Sequence, residues 1–179
     1  MQSFEFNVAQ LLKQPTGAMR SYEIDEDIAE LTDEVEFKSP LQGEVRFTRT
    51  TDGVLVTGHL ATTASVTCRR CSVVFVTPVD LDLEEEFRAA YDVYTGVKLP
   101  AREDDEEATM INEKHVLDLS EVMRQDLLLA LPPFPLCRED CAGLCPHCGK
   151  DLNEGPCDCV KEDFDPRWAA LRELLDRTS

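Results

Sequence analysis

Alternation of apolar and polar positions in the middle of the chain predicts a β-hairpin. Over residues 44–49, Val45 and Phe47 fall on one side of an extended strand, while charged and hydroxyl side chains fall on the other. An Asp-Gly turn dipeptide follows at 52–53, and the apolar residues 54–56 run back from it. This part of the chain is therefore expected to form antiparallel sheet.

A longer alternating pattern surrounds the cysteine pair Cys68 and Cys71. Residues 60–67 are small and β-favouring, and beyond Cys71 charged side chains alternate with apolar ones. The cysteine pair is thus predicted at the tip that joins two strands. The apolar positions of the second run are Val73, Phe75, Val79, Leu81, Leu83 and Phe87.

The first third of the chain carries shorter signals. A strand start is predicted at residues 4–6, and further short strands are predicted at 21–24 and 34–38. A short helical turn is predicted at 8–12, and the sequence Pro-Thr-Gly at 15–17 ends it. This region is expected to consist of short strands and turns.

Two helices are predicted later in the chain. Asp118 or Ser120 can cap the first, and the prolines at 132–133 end it because proline lacks an amide donor. The second is expected to begin at Pro166 after an Asp165 cap. The apolar stripe of the first helix comprises Leu119, Val122, Met123, Leu127 and Ala130. That of the second comprises Trp168, Leu171, Leu174 and Leu175.

These patterns predict an α+β fold for the 179 residues. We expect a mostly antiparallel, partly barrel-like β-sheet, a Leu-rich helix packed on it, and a C-terminal Cys-rich zinc-knuckle segment followed by a helix. The predicted parts are a β-rich N-terminal region at 1–97, an acidic mobile loop at 98–113, a strand and the Leu-rich helix at 114–136, a Cys-rich metal segment at 137–160 and the C-terminal helix at 161–179.

The chain is strongly acidic, with 36 acidic against 18 basic residues and a formal net charge of −18. Affinity for nucleic acid comes largely from cationic groups that neutralise phosphates. A chain of this charge is therefore expected to repel RNA on average. A basic protein partner is the better match for its electric field.

The N-terminal residues and the hydropathy pattern predict a cytoplasmic protein without a membrane anchor. No basic stretch followed by an apolar run marks a signal peptide, and no apolar stretch approaches the roughly 18 residues that span a bilayer. Thiols stay reduced in the cytosol, so an even number of cysteines favours metal binding over disulfides.

Eight cysteines carry the clearest chemical signal of the sequence. Cys68-Arg-Arg-Cys71 and Cys145-Pro-His-Cys148 have the spacing of zinc knuckles, in which a tight turn aims both sulfurs at one point. Gly149 follows the second pair and tolerates the positive φ that such turns need. Eight thiolates suffice for two structural four-cysteine sites that hold Zn²⁺. The predicted ligands are Cys68, Cys71, Cys137, Cys141, Cys145, Cys148, Cys157 and Cys159.

Two pairings of these cysteines are compatible with their spacing. In the first, Cys68 and Cys71 share a metal with Cys137 and Cys141, and the other four form a local site. In the second, the two knuckles share one metal and the remaining four cysteines bind another. We favour the first pairing, because residues 145–159 are rich in turn formers and can close on a metal without help.

The sequence does not indicate an enzyme. Cys141, Cys145 and Cys148 have the spacing of the cluster motif in radical enzymes that use S-adenosylmethionine, but the pattern lacks the strand–helix alternation of their barrel. The arginines between Cys68 and Cys71 would lower thiol pKa values, as in dithiol oxidoreductases. A redox pair of that kind, however, belongs at the start of a helix in a βαβ unit. A dithiol oxidoreductase stays as an alternative.

Five segments of the chain form a distinctive combination. They are the cysteine pair at 68–71 with its following strand, Asp-Leu-Ser-Glu at 118–121, the leucine run at 127–131, the cysteine-rich stretch 135–149, and Asp-Leu-Asn-Glu-Gly-Pro-Cys-Asp-Cys at 151–159. With these segments the chain resembles the bacterial YceD family, the large ribosomal RNA subunit accumulation proteins, over most of its length.

The resemblance implies a role in the accumulation or processing of large-subunit ribosomal RNA, and hence in ribosome assembly, and it brings no established enzymatic activity. Family members that keep the upstream pair and the positions of Cys137 and Cys141, but lack the later cysteines, agree with the first pairing. Combined with the charge, this predicts a zinc-stabilised factor acting through a basic ribosomal protein or assembly factor, with no membrane and no small-molecule substrate. Contact with ribosomal RNA is expected to be indirect, apart from a small local contact at Arg69, Arg70 and Arg138. A zinc-dependent adapter in another pathway, such as transcription, is the alternative.

Overall fold

A computed structural model describes residues 4–103 and 105–159, which form mostly β-sheet with two short helices. The strands are β1 (Glu5–Asn7), β2 (Met19–Glu26), β3 (Glu36–Phe37), β4 (Leu41–Arg49), β5 (Gly53–Thr67), β6 (Val74–Ala89), β7 (Met110–Ile111) and β8 (Val116–Asp118). The helices are α1 (Ala9–Leu12) and α2 (Ser120–Ala130).

A six-stranded sheet forms the body of the fold. Its order is β2-β4-β5-β6-β7, with β3 paired to β5 beyond the end of β4, and β1 and β8 form a separate antiparallel pair. Within the described residues β2 and β7 lie at opposite edges, so this sheet is open. The α+β prediction is confirmed. The predicted partial barrel is not found, because β7 is two residues long and pairs only with the end of β6.

The predicted hairpin is present as β4 and β5, which pair from Arg49 opposite Val54 to Gln42 opposite Ala61. Burial follows the alternation that the sequence showed, since Val45 and Phe47 are buried while the residue between them is exposed. One face of the sheet therefore carries the core, and the other faces solvent. This division holds on the neighbouring strands as well.

The longest hairpin of the fold joins β5 to β6 and carries the first cysteine pair. Its register runs from Gly53 opposite Arg88 to Thr67 opposite Val74. Cys68 and Cys71 follow directly in the connecting turn, as predicted. The tip of this hairpin thus extends well beyond β4, and that extension sets the position of the metal-ligand candidates.

Helix α2 packs against β6 on the inner face of the sheet. Its buried side chains are Val122, Met123 and Leu127, on the predicted stripe, and Asp118 Oδ1 accepts a hydrogen bond from the Ser120 amide at 2.9 Å. The leucines of α2 differ in burial, since Leu127 is fully buried and Leu129 is 81% exposed. Neither described helix is long and apolar enough to cross a membrane.

The acidic interval 98–113 contains two elements that the sequence did not predict, a 3-10 turn at Glu107–Thr109 and strand β7. Ion pairs hold it against the sheet: Arg88 binds the carboxylate of Asp105, and Arg102 Nη2 lies 2.8 Å from Asp52 Oδ2. The hydrogen bonds from Arg88 keep the pKa of Asp105 below its usual range. The predicted C-terminal helix lies outside the described residues.

Phe47 offers a test of which face carries the core. Its ring lies 5.0 Å from that of Phe6 and 4.9 Å from that of Tyr22, and it is fully buried. Phe47→Ala is expected to lower the free energy of unfolding by about 3–5 kcal/mol, through lost burial and a cavity. Arg46→Ala, one position away on the solvent face, should change it by less than about 0.5 kcal/mol. Denaturant titration measures both, and equal losses would contradict the assignment of faces.

Candidate metal centre

Four cysteines from two distant parts of the chain meet at the tip of the β5–β6 hairpin. Cys68 and Cys71 come from the hairpin turn, and Cys137 and Cys141 come from the segment that follows α2. All four sulfur atoms lie within 4.8 Å of one another. We call these residues the first cysteine group. Across it, the Cys68 and Cys141 sulfurs are 3.8 Å apart and those of Cys71 and Cys137 are 3.6 Å apart.

The first cysteine group is largely withdrawn from solvent. Cys68, Cys71 and Cys141 are 2%, 8% and 1% exposed, and Phe75 and Leu136 pack against them. Together these side chains form a small apolar cluster separate from the main core. Three of the four thiols are thus buried and Cys137 is half-buried, with the sulfurs packed against one another.

The remaining four cysteines form a local second cysteine group, consisting of Cys145, Cys148, Cys157 and Cys159. Their sulfurs also lie within 4.8 Å of one another, with 3.4 Å between those of Cys157 and Cys145. This group is more open than the first, because Cys148 is exposed while Cys145 is buried. His147 is exposed and lies outside the group.

Both knuckle turns use the same backbone geometry. The amide after each pair donates to the carbonyl of its first cysteine, from Ser72 to Cys68 at 3.0 Å and from Gly149 to Cys145 at 2.9 Å. Each donor residue has positive φ, 61° for Ser72 and 74° for Gly149. The turn therefore requires the left-handed conformation even where the sequence supplies a residue other than glycine.

The structure thus brings the cysteines together as in the first of the two pairings. All eight are free thiols, and the sulfur–sulfur distances of 3.4–3.8 Å far exceed the roughly 2.05 Å of a disulfide. The alternative pairing would require Cys68 and Cys71 to share a centre with Cys145 and Cys148, and the structure places these pairs in different groups.

The electrostatics of each group favour a bound cation. Hydrogen bonds from backbone amides, most strongly from that of Cys137, lower the pKa of the Cys68 thiol to about 6. Burial raises the pKa of the Cys137 thiol to about 12. In the second group the amides of Cys148 and His147 lower the pKa of Cys145 to about 6. Hydrogen bonding to Cys148 raises the pKa of Cys159 to about 12. Four packed thiols cannot all ionise on their own, and a central metal ion would remove that conflict.

The donor set fits a metal that prefers sulfur. Thiolate ligands in groups of four select zinc or iron–sulfur centres over hard cations such as Mg²⁺ or Ca²⁺. Each group presents four sulfurs from two short turns, and no carboxylate or imidazole belongs to either group within the described residues. Both groups could therefore hold a metal ion.

The three arginines predicted near the first cysteine group surround it, and each makes an internal contact. The Arg69 guanidinium lies 5.5 Å from the centroid of the Phe134 ring, and Arg70 Nη1 donates to the Cys141 carbonyl at 2.8 Å. Arg138 Nη2 donates to Asn153 Oδ1 at 2.6 Å. These arginines thus tie the turns of the centre together.

Sequence reasoning missed Asn153, which it treated as a turn former. Asn153 belongs to the loop of the second cysteine group, and its Nδ2 is 3.6 Å from the Cys141 sulfur of the first. A polar amide side chain inside a cysteine-rich loop was the available signal, because such a group can donate to sulfur. Its partner could not be read from spacing alone.

Comparison with known proteins links the chain to one family. The family model described as "Large ribosomal RNA subunit accumulation protein YceD" matches residues 56–175. Uncharacterised proteins of Mycobacterium tuberculosis and Mycobacterium leprae are 37% and 30% identical over 132 and 145 residues, or 74% and 79% of this chain. The chain spans 60% and 62% of the length of these two relatives.

A plant protein is similar over a shorter stretch. The Arabidopsis thaliana protein named large ribosomal RNA subunit accumulation protein YCED homolog 1, chloroplastic, is 31% identical over 61 residues. These cover 34% of this chain and 19% of the plant protein. No solved structure matches the chain significantly.

The unequal exposure of the two cysteine groups predicts the order in which they open. In native protein treated with a chelator and N-ethylmaleimide, Cys148 should be modified first and Cys141 last, because Cys148 is exposed and Cys141 is 1% exposed. Mass spectrometry of digested protein over time measures each site. Equal rates in native protein would contradict this order, and denatured protein, in which all eight should react alike, is the control.

Proposed function

The chain belongs to the YceD family, and we propose on this basis that it is a zinc-stabilised, non-catalytic factor supporting the accumulation or processing of large-subunit ribosomal RNA. The observation that carries the proposal is the family match over residues 56–175, which includes both cysteine groups and α2. On this proposal the protein contributes to assembly of the large ribosomal subunit in the cytoplasm.

Zinc is the proposed metal for both groups. It accepts four thiolates in tetrahedral geometry, has no redox chemistry of its own, and adds folding free energy to segments that lack a core. The segment of the second cysteine group is such a case. Among the described residues from 145 to 159, Cys145 is the buried one. Bound zinc would supply the stability that apolar packing does not.

The proposed role is structural because each metal would be fully coordinated by protein. Catalytic zinc sites keep one position open for water or substrate, whereas four-cysteine sites are closed. The first cysteine group is also enclosed by Phe75 and Leu136. A substrate would therefore reach neither an open coordination position nor a free thiolate there.

The solvent face of the sheet supports a basic protein as the partner. The strand register aligns Glu23 with Glu44, Glu44 with His59, and His59 with Asp82 in one row across β2, β4, β5 and β6. Exposed acidic side chains alternate along β6 on this same face. The acidic residues of the face on the described strands are Glu23, Asp25, Glu36, Glu44, Asp80, Asp82, Glu84 and Glu86. Two arginines share this face, Arg46 and Arg88, and Arg88 is paired with Asp105.

Repulsion between acidic side chains on this face lowers the stability of the sheet. Like charges directly opposite each other, such as Glu23 and Glu44, destabilise a sheet, and a cationic partner would relieve that repulsion. The same face continues along β6 into exposed apolar residues, since Val74 and Val76 are 64% and 56% exposed. Acidic and apolar surface side by side suits a basic protein surface better than a phosphate backbone.

RNA contact at Arg69, Arg70 and Arg138 is a smaller part of the proposal. Arg70 already binds the Cys141 carbonyl, and Arg138 binds Asn153 and lies 3.4 Å from Asp140. These arginines keep part of their surface exposed. Because these arginines are few and already make internal contacts, RNA binding here would be local, and the protein partner would contribute more to the function.

Neutralising the acidic face tests the proposal. A variant with Asp80→Asn, Asp82→Asn, Glu84→Gln and Glu86→Gln should recover less of a basic protein in pull-downs, because the attraction between surface charges is lost. Binding by the unchanged chain should weaken as salt rises. The matched control changes four exposed glutamates elsewhere to glutamine: Glu30, Glu103, Glu107 and Glu113. It alters net charge equally and should retain the partner.

Cells depleted of the protein provide the second readout. Sucrose gradients should show fewer large-subunit particles, which the unchanged chain and the control variant restore and the acidic-face variant does not. An unchanged gradient after depletion would contradict the ribosomal role and favour an adapter in another pathway. Tight binding of the purified chain to bare ribosomal RNA near 150 mM salt, roughly physiological ionic strength, would contradict the protein partner.

A further inference from the structure

We propose that Asn153 couples the two cysteine groups, so that metal bound by the second group strengthens metal binding by the first. This inference rests on the proposed metal binding. Asn153 lies within the loop that the second group closes, and its amide reaches a sulfur of the first group, Cys141, at 3.6 Å. Asn153 is thus a positioning residue for the first cysteine group, although it belongs to the loop of the second.

The Asn153 side chain is fully used in this arrangement. Its Oδ1 accepts from the Ala142 amide at 2.8 Å and from Arg138 Nη2 at 2.6 Å. Its Nδ2 donates to Asp151 Oδ1 at 2.6 Å and to the Cys141 sulfur. An amide side chain has two acceptor positions and two donor hydrogens, so no capacity remains. Such saturation fixes the orientation of the side chain.

Closure of the second group is what places this amide. The Cys145 amide donates to the Lys150 carbonyl at 2.8 Å, and the Leu152 amide donates to the Gly143 carbonyl at 2.9 Å. These bonds fold the chain after Cys145 back beside Cys141. Because residues 145–159 bury little apolar surface, a metal bound by the second cysteine group would be the main interaction that keeps this loop folded.

A second contact joins the two groups at the hairpin tip. The Leu144 amide donates to the Arg70 carbonyl at 3.0 Å, and Gly143 has φ of 74°. A Cβ atom at Gly143 would lie 3.0 Å from that same carbonyl oxygen. The two knuckles therefore pack backbone against backbone, and this contact keeps the start of the second group's loop beside the first group.

The N–H···S bond would act on the first metal through the sulfur. Hydrogen bonds to ligating atoms orient them and tune their donation, and loss of such a partner commonly costs about 10–100-fold in metal affinity. If metal in the second group holds Asn153 in place, the affinities of the two groups are linked. The linkage is reciprocal by thermodynamic necessity.

A double-variant cycle measures this coupling in the full chain. The readout is the rate at which N-ethylmaleimide modifies Cys141 in zinc-saturated protein, followed by mass spectrometry. Cys148→Ser empties the second group and Asn153→Ala removes the amide. Each should raise the Cys141 rate about tenfold. The double variant should react no faster than either single variant, because both changes remove the same interaction. Glu154→Gln, an exposed neighbour, is the control and should match the unchanged chain.

Two results would overturn the coupling. One is a Cys141 rate in Cys148→Ser equal to that of the unchanged chain. The other is a double variant whose rate is the product of the two single effects, which means independent action. Zinc content separates this failure from failure of the metal proposal itself. Two zinc ions per chain with independent rates would refute only the coupling, whereas a zinc-free native chain would refute both.

Asn153→Asp isolates the bond to sulfur. Aspartate keeps the acceptors for Ala142 and Arg138 but can donate neither to the Cys141 sulfur nor to Asp151 Oδ1. In Co²⁺-loaded protein with the second group intact, this change should move the first group's part of the sulfur-to-cobalt absorption band to longer wavelength, whereas in the Cys148→Ser background, where the bond is already lost, it should have no further effect. A merely structural role would leave that band in place, and an unchanged band would contradict the inference. Asp151→Ala, which removes the second contact and leaves the bond to sulfur, is the control and should leave the absorption band in place. Circular dichroism confirms that each variant retains its sheet.

Discussion

The enclosure of four thiols at one point is the constraint on which the rest of this structure depends. Cys68 and Cys141 meet across 73 residues of chain, and Cys71 and Cys137 meet across 66. A metal shared by these four would close a long loop and fix the segment after α2 to the hairpin tip, and closing long loops removes the most entropy from the unfolded chain. Without a cation the same four sulfurs would be poorly satisfied in an apolar setting.

The two faces of the sheet differ in burial and in charge. The inner face carries the core with α2, and the outer face carries exposed acidic side chains, with Glu23 directly opposite Glu44. The hairpin tip extends from this sheet to hold the first cysteine group, and the second group is attached to the first through Asn153 and Arg70. The core and the proposed metals would therefore stabilise the fold, so that the outer face can keep acidic side chains that repel each other.

Local patterns in the sequence predicted much of this arrangement. The alternation around Val45 and Phe47, the position of Cys68 and Cys71 at a hairpin tip, and the grouping of the eight cysteines all appear in the structure. Long-range features were not predictable in the same way. The open edge of the sheet depends on strand pairing, the acidic row depends on register, and the role of Asn153 depends on two loops meeting. Alternation and spacing within one segment do not specify which distant segments of the chain come into contact.

The metal content of natively isolated protein tests the central claim most directly. We predict two zinc ions per unchanged chain by elemental analysis, with one remaining after Cys71→Ser and one after Cys148→Ser, because each change disables a different group. Native protein that contains no zinc and carries disulfides among these eight cysteines would contradict the account.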